Sequence, residues 1–277
     1  MGNINWYPGH MKKTREMIQS NLKLVDIIIE ILDARIPNSS KNPIINEITA
    51  NKKRIILLNK ADLADKRETS EWIRLFEKEG YKAIEIDALN GRGIDKLYKI
   101  LNEFQAERDE EKRNSRPLRI MILGVPNVGK SSLINRLSGR KSTKTGNKPG
   151  ITKGKQWITL ENGMQLLDTP GILWPKFEEP EVGLNLAFAG SIKDEILEIQ
   201  DIGLELIGFL ADNYPEEFMN RYKLSGLSDD KLANMEALAL KRGFILPGKR
   251  IDYERTARTV IDEFRAGKIG KITLEKA

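Results

Sequence analysis

The chain has 277 residues and a formal net charge of +6, from 46 Lys and Arg against 40 Asp and Glu. With 40% apolar and 31% charged residues it is composed like a soluble globular protein, long enough for one large domain or two smaller ones. It holds no cysteine, which excludes disulfides, thiolate catalysis and cysteine metal sites; no apolar run nears the ~20 residues of a membrane span and no basic-then-apolar leader opens the chain, so a cytoplasmic protein without membrane contact is expected.

In chain order, residues 10–23 have helical character. The apolar runs 25–33, 54–59 and 82–87 predict short strands, and residues 65–79 and 93–107, which follow the second and third, have helical spacing. Ile94, Leu97, Leu101 and Phe104 form one apolar stripe. Strands alternating with helices predict a parallel sheet. The charged stretch 103–116 predicts a solvated helix end and a connector. A strand over 118–123 then leads into a helix over 130–137, and the runs 156–160 and 164–167 flank Asn162-Gly163, a strong hairpin signal. Beyond Pro180 the pattern turns helical, with helices over 196–211, 229–241 and 253–266. The expected division is an α/β domain, residues 1–178, followed by a small all-helical domain, residues 179–277.

Gly124-Val125-Pro126-Asn127-Val128-Gly129-Lys130-Ser131 has P-loop spacing, and it lies between a strand and a helix as that motif requires. Its glycines let backbone N–H groups curl toward phosphate oxygens, and the helix N-terminus adds a positive field. Asn127, Val128, Gly129, Lys130, Ser131 and Ser132 are therefore candidate phosphate contacts, with Lys130 neutralising charge and Ser131 holding Mg2+. Asp168-Thr169-Pro170-Gly171 ends the hairpin: Asp168 is a second Mg2+ candidate, and the Gly171 N–H is placed to sense a γ-phosphate. Thr152, in a loop rich in Gly, Pro, Lys and Thr, is a candidate to close on Mg2+ when that phosphate is present.

Asn59-Lys60-Ala61-Asp62 also follows an apolar strand. A carboxylate accepts two hydrogen bonds and donates none, which matches the paired donors on guanine and not the edge of adenine. Asp62 thus favours GTP and GDP over adenine nucleotides; the Lys60 stem would lie over the ring, and Asn59 would tie this loop to the P-loop. Asp87-Ala88, after the third strand, would bring a backbone N–H to the guanine oxygen.

The base motifs precede the phosphate motifs, the reverse of the order in an ordinary GTPase. Sites form in space, so the order changes freely if the sheet is kept and the old termini are joined. The fold expected is a circularly permuted P-loop GTPase domain, joined by the charged connector. The segment after Gly171 then runs into the helical domain, so movement of the second switch is expected to pull on that domain.

Together with the N-terminal Trp6–Ile18 (WYPGHMKKTREMI) and the helical tail, these motifs resemble the YlqF/RbgA family of circularly permuted ribosome-biogenesis GTPases over essentially the whole chain. The resemblance implies a GTPase that binds a late precursor of the large ribosomal subunit, contacts ribosomal RNA through its C-terminal helices and leaves after hydrolysis, as a monomer off the ribosome. Ile172 stands where Ras-like enzymes carry a water-orienting Gln, so another group must place the water. The resemblance points to His10, the single histidine, ahead of the basic Lys12, Lys13 and Arg15; the alternatives are a helix cap or an RNA contact. Asn127 resembles the asparagine of potassium-dependent GTPases, which implies K+ beside the phosphates; the alternative is an asparagine that satisfies its own loop.

Charge placement supports a polyanionic partner. Residues 136–155 carry seven basic and no acidic side chains, and residues 241–277 carry ten basic and five acidic. Residues 180–240 reverse this, with four basic and twelve acidic. Arg255, Arg258, Arg265 and Lys268, near the last helix, are the candidate RNA contacts, against the alternative of an amphipathic helix with snorkelling arginines. Two other readings stay open: a signalling GTPase governed by protein partners, and a nucleotide-gated RNA-binding module with negligible hydrolysis.

Overall fold

The computed structural model describes residues 8–112, 116–139, 157–167, 171, 173 and 179–277; of residues 8–14 and 111–112 it describes the helical backbone alone. The α/β part contains α1 (Pro8–Leu22), β1 (Ile27–Asp33), α2 (Pro43–Thr49), β2 (Lys53–Asn59), α3 (Lys66–Lys78), β3 (Lys82–Glu85), α4 (Ile94–Lys112), β4 (Arg119–Leu123), α5 (Lys130–Leu137), β5 (Trp157–Thr159) and β6 (Gln165–Leu167). The helical part contains α6 (Pro180–Phe188), α7 (Ile199–Asn213), α8 (Pro215–Tyr222), α9 (Lys231–Arg242), the two-residue strands β7 (Ile245–Leu246) and β8 (Arg250–Ile251), and α10 (Tyr253–Arg265).

The main sheet has the order β3-β2-β1-β4-β6-β5. Among the described residues only β5 runs antiparallel in this sheet, paired to β6 through the hairpin turn at Gly163 (φ 82°). β1 is buried along its whole length because parallel neighbours flank it on both sides, which is why it reads as an almost unbroken apolar run. The exceptions are Glu30, which lies 3.0 Å from Arg54 Nη1 on β2, and the terminal Asp33. The chain lays β2 and β3 to one side of β1, then crosses to β4 and β6 on the other. The β1/β4 boundary is thus a topological switch point, and the C-terminal ends of the parallel strands meet there along one edge, the place where open α/β sheets bind ligands.

Helix starts are locally encoded. Asp65 caps α3 through the N–H groups of Arg67 and Glu68, Asp230 caps α9 and Asp252 caps α10. The sequence reading has no α2, α6 or α8, and all three begin with proline: Pro43, Pro180 and Pro215. Proline's fixed φ and missing N–H suit the first helical turn, so these residues mark openings rather than breaks.

In the helical part, α7 packs on α9 and α10. A Cβ at Gly203 would lie 2.3 Å from Ala257 Cβ, so glycine permits the close approach of α7 and α10. The two parts share apolar packing: one continuous cluster reaches from Ile27 through Leu206 to Leu274. After α10 the chain returns to the α/β part. Ile272 N–H donates to Leu63 O (3.1 Å) and Leu274 N–H to Arg35 O (2.8 Å). The Glu275 carboxylate accepts from the N–H groups of Asn38 (2.6 Å) and Ser39 (2.9 Å). Burial pushes its pKa up, although these bonds and that of Asn185 oppose it. Among the described residues no helix is long and apolar enough to cross a membrane.

Candidate nucleotide site

The P-loop leaves the buried end of β4 and packs directly on β1: a Cβ at Gly124 would lie 2.5 Å from Ile31 O. Asn127 and Gly129 both take positive φ, 61° and 101°, and curl the backbone into α5. Gly129 is the N-cap of α5 and brings no capping side chain, so the positive helix end is left open to an anion. Lys130 Nζ folds back over the loop and donates to Gly124 O (3.1 Å) and Val125 O (2.7 Å). Gly171, solvent-exposed, rests against this corner: a Cβ there would lie 2.8 Å from Lys130 Nζ and 3.0 Å from Pro126 Cα. The glycine of the second switch motif and the P-loop lysine are therefore neighbours. Val128 is buried, Ser132 half-buried and Ser131 exposed on the first turn of α5.

One side chain binds three loops together. Asn59, at the end of β2 and 3% exposed, donates from Nδ2 to Val128 O (2.6 Å) and accepts at Oδ1 from the Ala88 N–H (3.0 Å). It joins the loop after β2, the P-loop and the loop after β3. This cross-link also requires Gly129, because a Cβ there would fall 2.2 Å from Asn59 Nδ2. Ala61, buried beside it, donates to Ile86 O (3.2 Å). Asp62 is half-buried, and its carboxylate has no hydrogen-bond or ion-pair partner among the described residues. Lys60 takes a left-handed backbone (φ 60°) and donates from Nζ to Asp33 Oδ2 at 2.8 Å. Burial lowers the Lys60 pKa and Arg35 adds to this, while Asp33 opposes it.

Asp87 serves its own turn. Its carboxylate accepts from Leu89 N–H (3.1 Å), Asn90 N–H (3.0 Å) and Asn90 Nδ2 (2.7 Å), and these bonds outweigh burial to lower its pKa. Of the two backbone N–H groups in Asp87-Ala88, one of which is expected to face a guanine oxygen, that of Ala88 donates to Asn59 and that of Asp87 to Arg92 O (2.9 Å). Asn127 turns its amide nitrogen to the helical part, where it donates to Gly190 O at 2.6 Å.

The C-terminal arginines do not form one free stripe. Arg265 is turned inward: it donates to Phe188 O (3.0 Å) and Ala187 O (2.7 Å) at the end of α6 and pairs with Asp194 at 2.8 Å. Cations complement the carbonyl end of a helix, so Arg265, one of the candidate RNA contacts, serves here as a clamp between elements. Arg258 pairs with Glu254 on the surface at 2.9 Å, Arg255 lies 4.5 Å above the Phe244 ring, and Lys268 is exposed. Thr152, Asp168 and Ile172 lie outside the described residues, and His10 lies in the first turns of α1, where the backbone alone is described.

Two site neighbours were not singled out from the sequence, Asp33 and Arg35, both 1% exposed at the end of β1. A signal was available: a charged Asp-x-Arg at the C-terminal end of an apolar strand, where open parallel sheets keep their ligand edge.

The residues present fit a guanine nucleotide. Two glycines stand where a side chain would collide with the loops, an ammonium is held by the loop's own carbonyls, and an unpartnered carboxylate sits on the base side. The described Mg2+ candidate, Ser131, opens α5 beside Lys130.

Comparison with known proteins agrees. The family described as 50S ribosome-binding GTPase matches residues 119–233. Ribosome biogenesis GTPase A of Priestia megaterium is 46% identical, over 98% of this chain and 96% of its own. Mitochondrial ribosome-associated GTPase 1 of Bos taurus is 33% identical, over 98% of this chain and 88% of its own. Among solved structures, GNP-bound YlqF from T. maritima is similar with a TM-score of 0.67 and 31% identity, covering 95% of this chain and 98% of that one. The GDP-bound form of that protein is similar with the same TM-score of 0.67 at 30% identity. With the P-loop tied to a base loop that precedes it in the chain, the protein is a circularly permuted GTP hydrolase, and it belongs to the ribosome biogenesis GTPase A family.

Proposed function

We propose that the protein hydrolyses GTP while bound to a late precursor of the large ribosomal subunit, and that hydrolysis releases it. The observation that carries this reading is the Asn59 cross-link, which unites the guanine and phosphate loops of a chain whose full-length relatives bear ribosome-assembly names. Asp62 accepts the two guanine donors, and leaving them unpaired with a wrong base costs on the order of 1–3 kcal/mol each. The P-loop N–H groups, Lys130 and the Gly171 N–H hold the phosphates. Ser131, with Thr152 and Asp168, holds Mg2+, which neutralises charge on the transferred group when bound. Asn127 supports K+ in the role of an arginine finger, and His10 orients the attacking water. The basic residues 136–155 and the exposed Arg255, Arg258 and Lys268 contact ribosomal RNA.

The test is GTP turnover with and without purified large ribosomal subunits, in KCl and in NaCl at matched ionic strength. Strong stimulation by the particle is expected, with faster turnover in KCl and loss of stimulation in His10→Ala. A rate unchanged by the particle while GTP still binds would overturn the ribosomal reading. Equal rates in the two salts would remove K+.

A further inference from the structure

Behind the base loop lies a buried pair, Asp33 and Arg35, that the nucleotide motifs do not include and that reaches the motif residue Lys60. Arg35 forks onto Asp33, with Nε to Oδ1 at 3.0 Å and Nη2 to Oδ2 at 2.8 Å. The same Oδ2 accepts Lys60 Nζ at 2.8 Å. On its far side Arg35 Nη1 donates to the carbonyls of Phe264 (3.4 Å) and Arg265 (3.3 Å), which end α10. Its guanidinium lies 5.0 Å from the centre of the Phe264 ring. A single pair of side chains thus joins a residue of the base loop to the last turn of the last helix.

The tail after α10 is laid along the same loop. Ile272 N–H donates to Leu63 O (3.1 Å), and Asp65 N–H donates to Thr273 Oγ1 (3.0 Å). A Cβ at Gly267 would lie 2.7 Å from Leu63 Cδ2. Residues 60–65 are therefore held from behind by residues 264–274. Lys60 needs such support, because its left-handed backbone is one that a residue with a side chain adopts only where its surroundings impose it.

We infer that Asp33, Arg35 and the tail at Thr273 are positioning residues for guanine binding, and that they couple the base site to α10. The inference rests on the assignment of residues 59–62 to the base. By linkage the coupling runs both ways: guanine nucleotide steadies α10 on Arg35, and a partner that draws α10 away loosens the nucleotide. None of these side chains has a hydrogen bond or ion pair to the P-loop among the described residues, so the effect falls on base recognition and leaves the chemical step alone.

The experiment measures the affinities of GDP and of inosine diphosphate, which lacks the exocyclic amine, by competition against a fluorescent GDP analogue on the full chain. Wild type is compared with Arg35→Lys, which keeps the charge but loses the fork, and with Thr273→Val, which removes one acceptor at constant shape. In Arg35→Lys, GDP binding weakens by roughly tenfold, within the usual range for coupled sites, and the preference for GDP over inosine diphosphate shrinks. Thr273→Val moves both quantities in the same direction by less. KM for GTP rises in both while kcat is kept. Unchanged GDP affinity in a cooperatively melting variant overturns the inference, as does an equal loss for both nucleotides, which marks general loosening. If Arg35→Lys does not fold, Thr273→Val decides. A wild-type protein that binds the two nucleotides equally overturns the base assignment instead.

Discussion

Strand β1 carries two buried carboxylates whose pKa values move in opposite directions. Glu30 is 0% exposed and Asp33 1%, and each is paired with an arginine. Asp33 accepts from Arg35 through Nε, Nη2 and the backbone N–H, and from Lys60. Burial alone would raise its pKa, but the Arg35 and Lys60 charges and bonds hold it well below the usual carboxylate range. Glu30 has an ion pair to Arg54 at 3.0 Å, yet neither of its oxygens accepts an aligned hydrogen bond. Arg54 directs its donors elsewhere, to Asn46 Oδ1 (2.6 Å) and to Tyr81. Burial therefore prevails over the attraction of Arg54 and Lys41, and pushes Glu30 up to about 6. The depth is the same; the number of donors aimed at the carboxylate decides the direction in which its pKa moves.

The largest expected effect breaks the satisfied pair. Asp33→Ala leaves the buried Arg35 without its counter-charge and removes the partner of the half-buried Lys60, and is expected to cost about 3–5 kcal/mol in urea unfolding. A loss under about 1 kcal/mol would mean that the cluster is not fully desolvated.

Next is Arg265→Ala, which leaves the α6 carbonyls and Asp194 without their charged donor. A loss of about 1.5–3 kcal/mol is expected, with no specific loss of RNA affinity. A folded variant that loses RNA binding alone would restore this arginine to the RNA surface.

The unsatisfied carboxylate is read by pH. The folded pKa of Glu30 lies above its ordinary value of 4.5, so between about 4.5 and about 6 the folded state holds more proton than the unfolded. Stability therefore falls as pH rises through that window, by about 2 kcal/mol in total, and is flat above it. Asp33 has the opposite sign: its contribution is complete above the ordinary 3.8 and is lost as pH falls toward its lowered folded pKa. Glu30→Gln should flatten the upper limb and spare the acid limb in chemical denaturation from pH 3 to pH 7. Some slope remains from Glu275, which is also raised. An unaltered upper limb would show that Glu30 is ionised in the folded state.

The smallest effect is the exposed control. Arg258→Ala breaks a surface i,i+4 pair with Glu254, and no measurable shift of the unfolding midpoint is expected.

The same contrast explains what was readable beforehand. Spacing alone placed the P-loop between β4 and α5, and the base motif at the end of β2, because each is a short local pattern. The helices opened by Pro43, Pro180 and Pro215 were missed, since proline signals both a break and a first turn and only the following residues distinguish them. Arg265 reads in the sequence as a candidate RNA contact or a snorkelling arginine, because helical periodicity places a residue on a face without saying what covers that face.

By itself the sequence determined the alternation of strands and helices, the two nucleotide motifs, their reversed order and the resemblance to a permuted GTPase family. These depend on residues a few positions apart, whose conformation is set by local sterics and capping. The tertiary structure alone decided that Asn59 reaches Val128 across 69 residues and that Arg35 reaches Phe264 across 229. Nor does the pattern of residues 267–277 reveal that the tail closes behind the base loop. Such contacts form only where packing brings distant segments together, and a buried charge is stable there only when the fold supplies its partners.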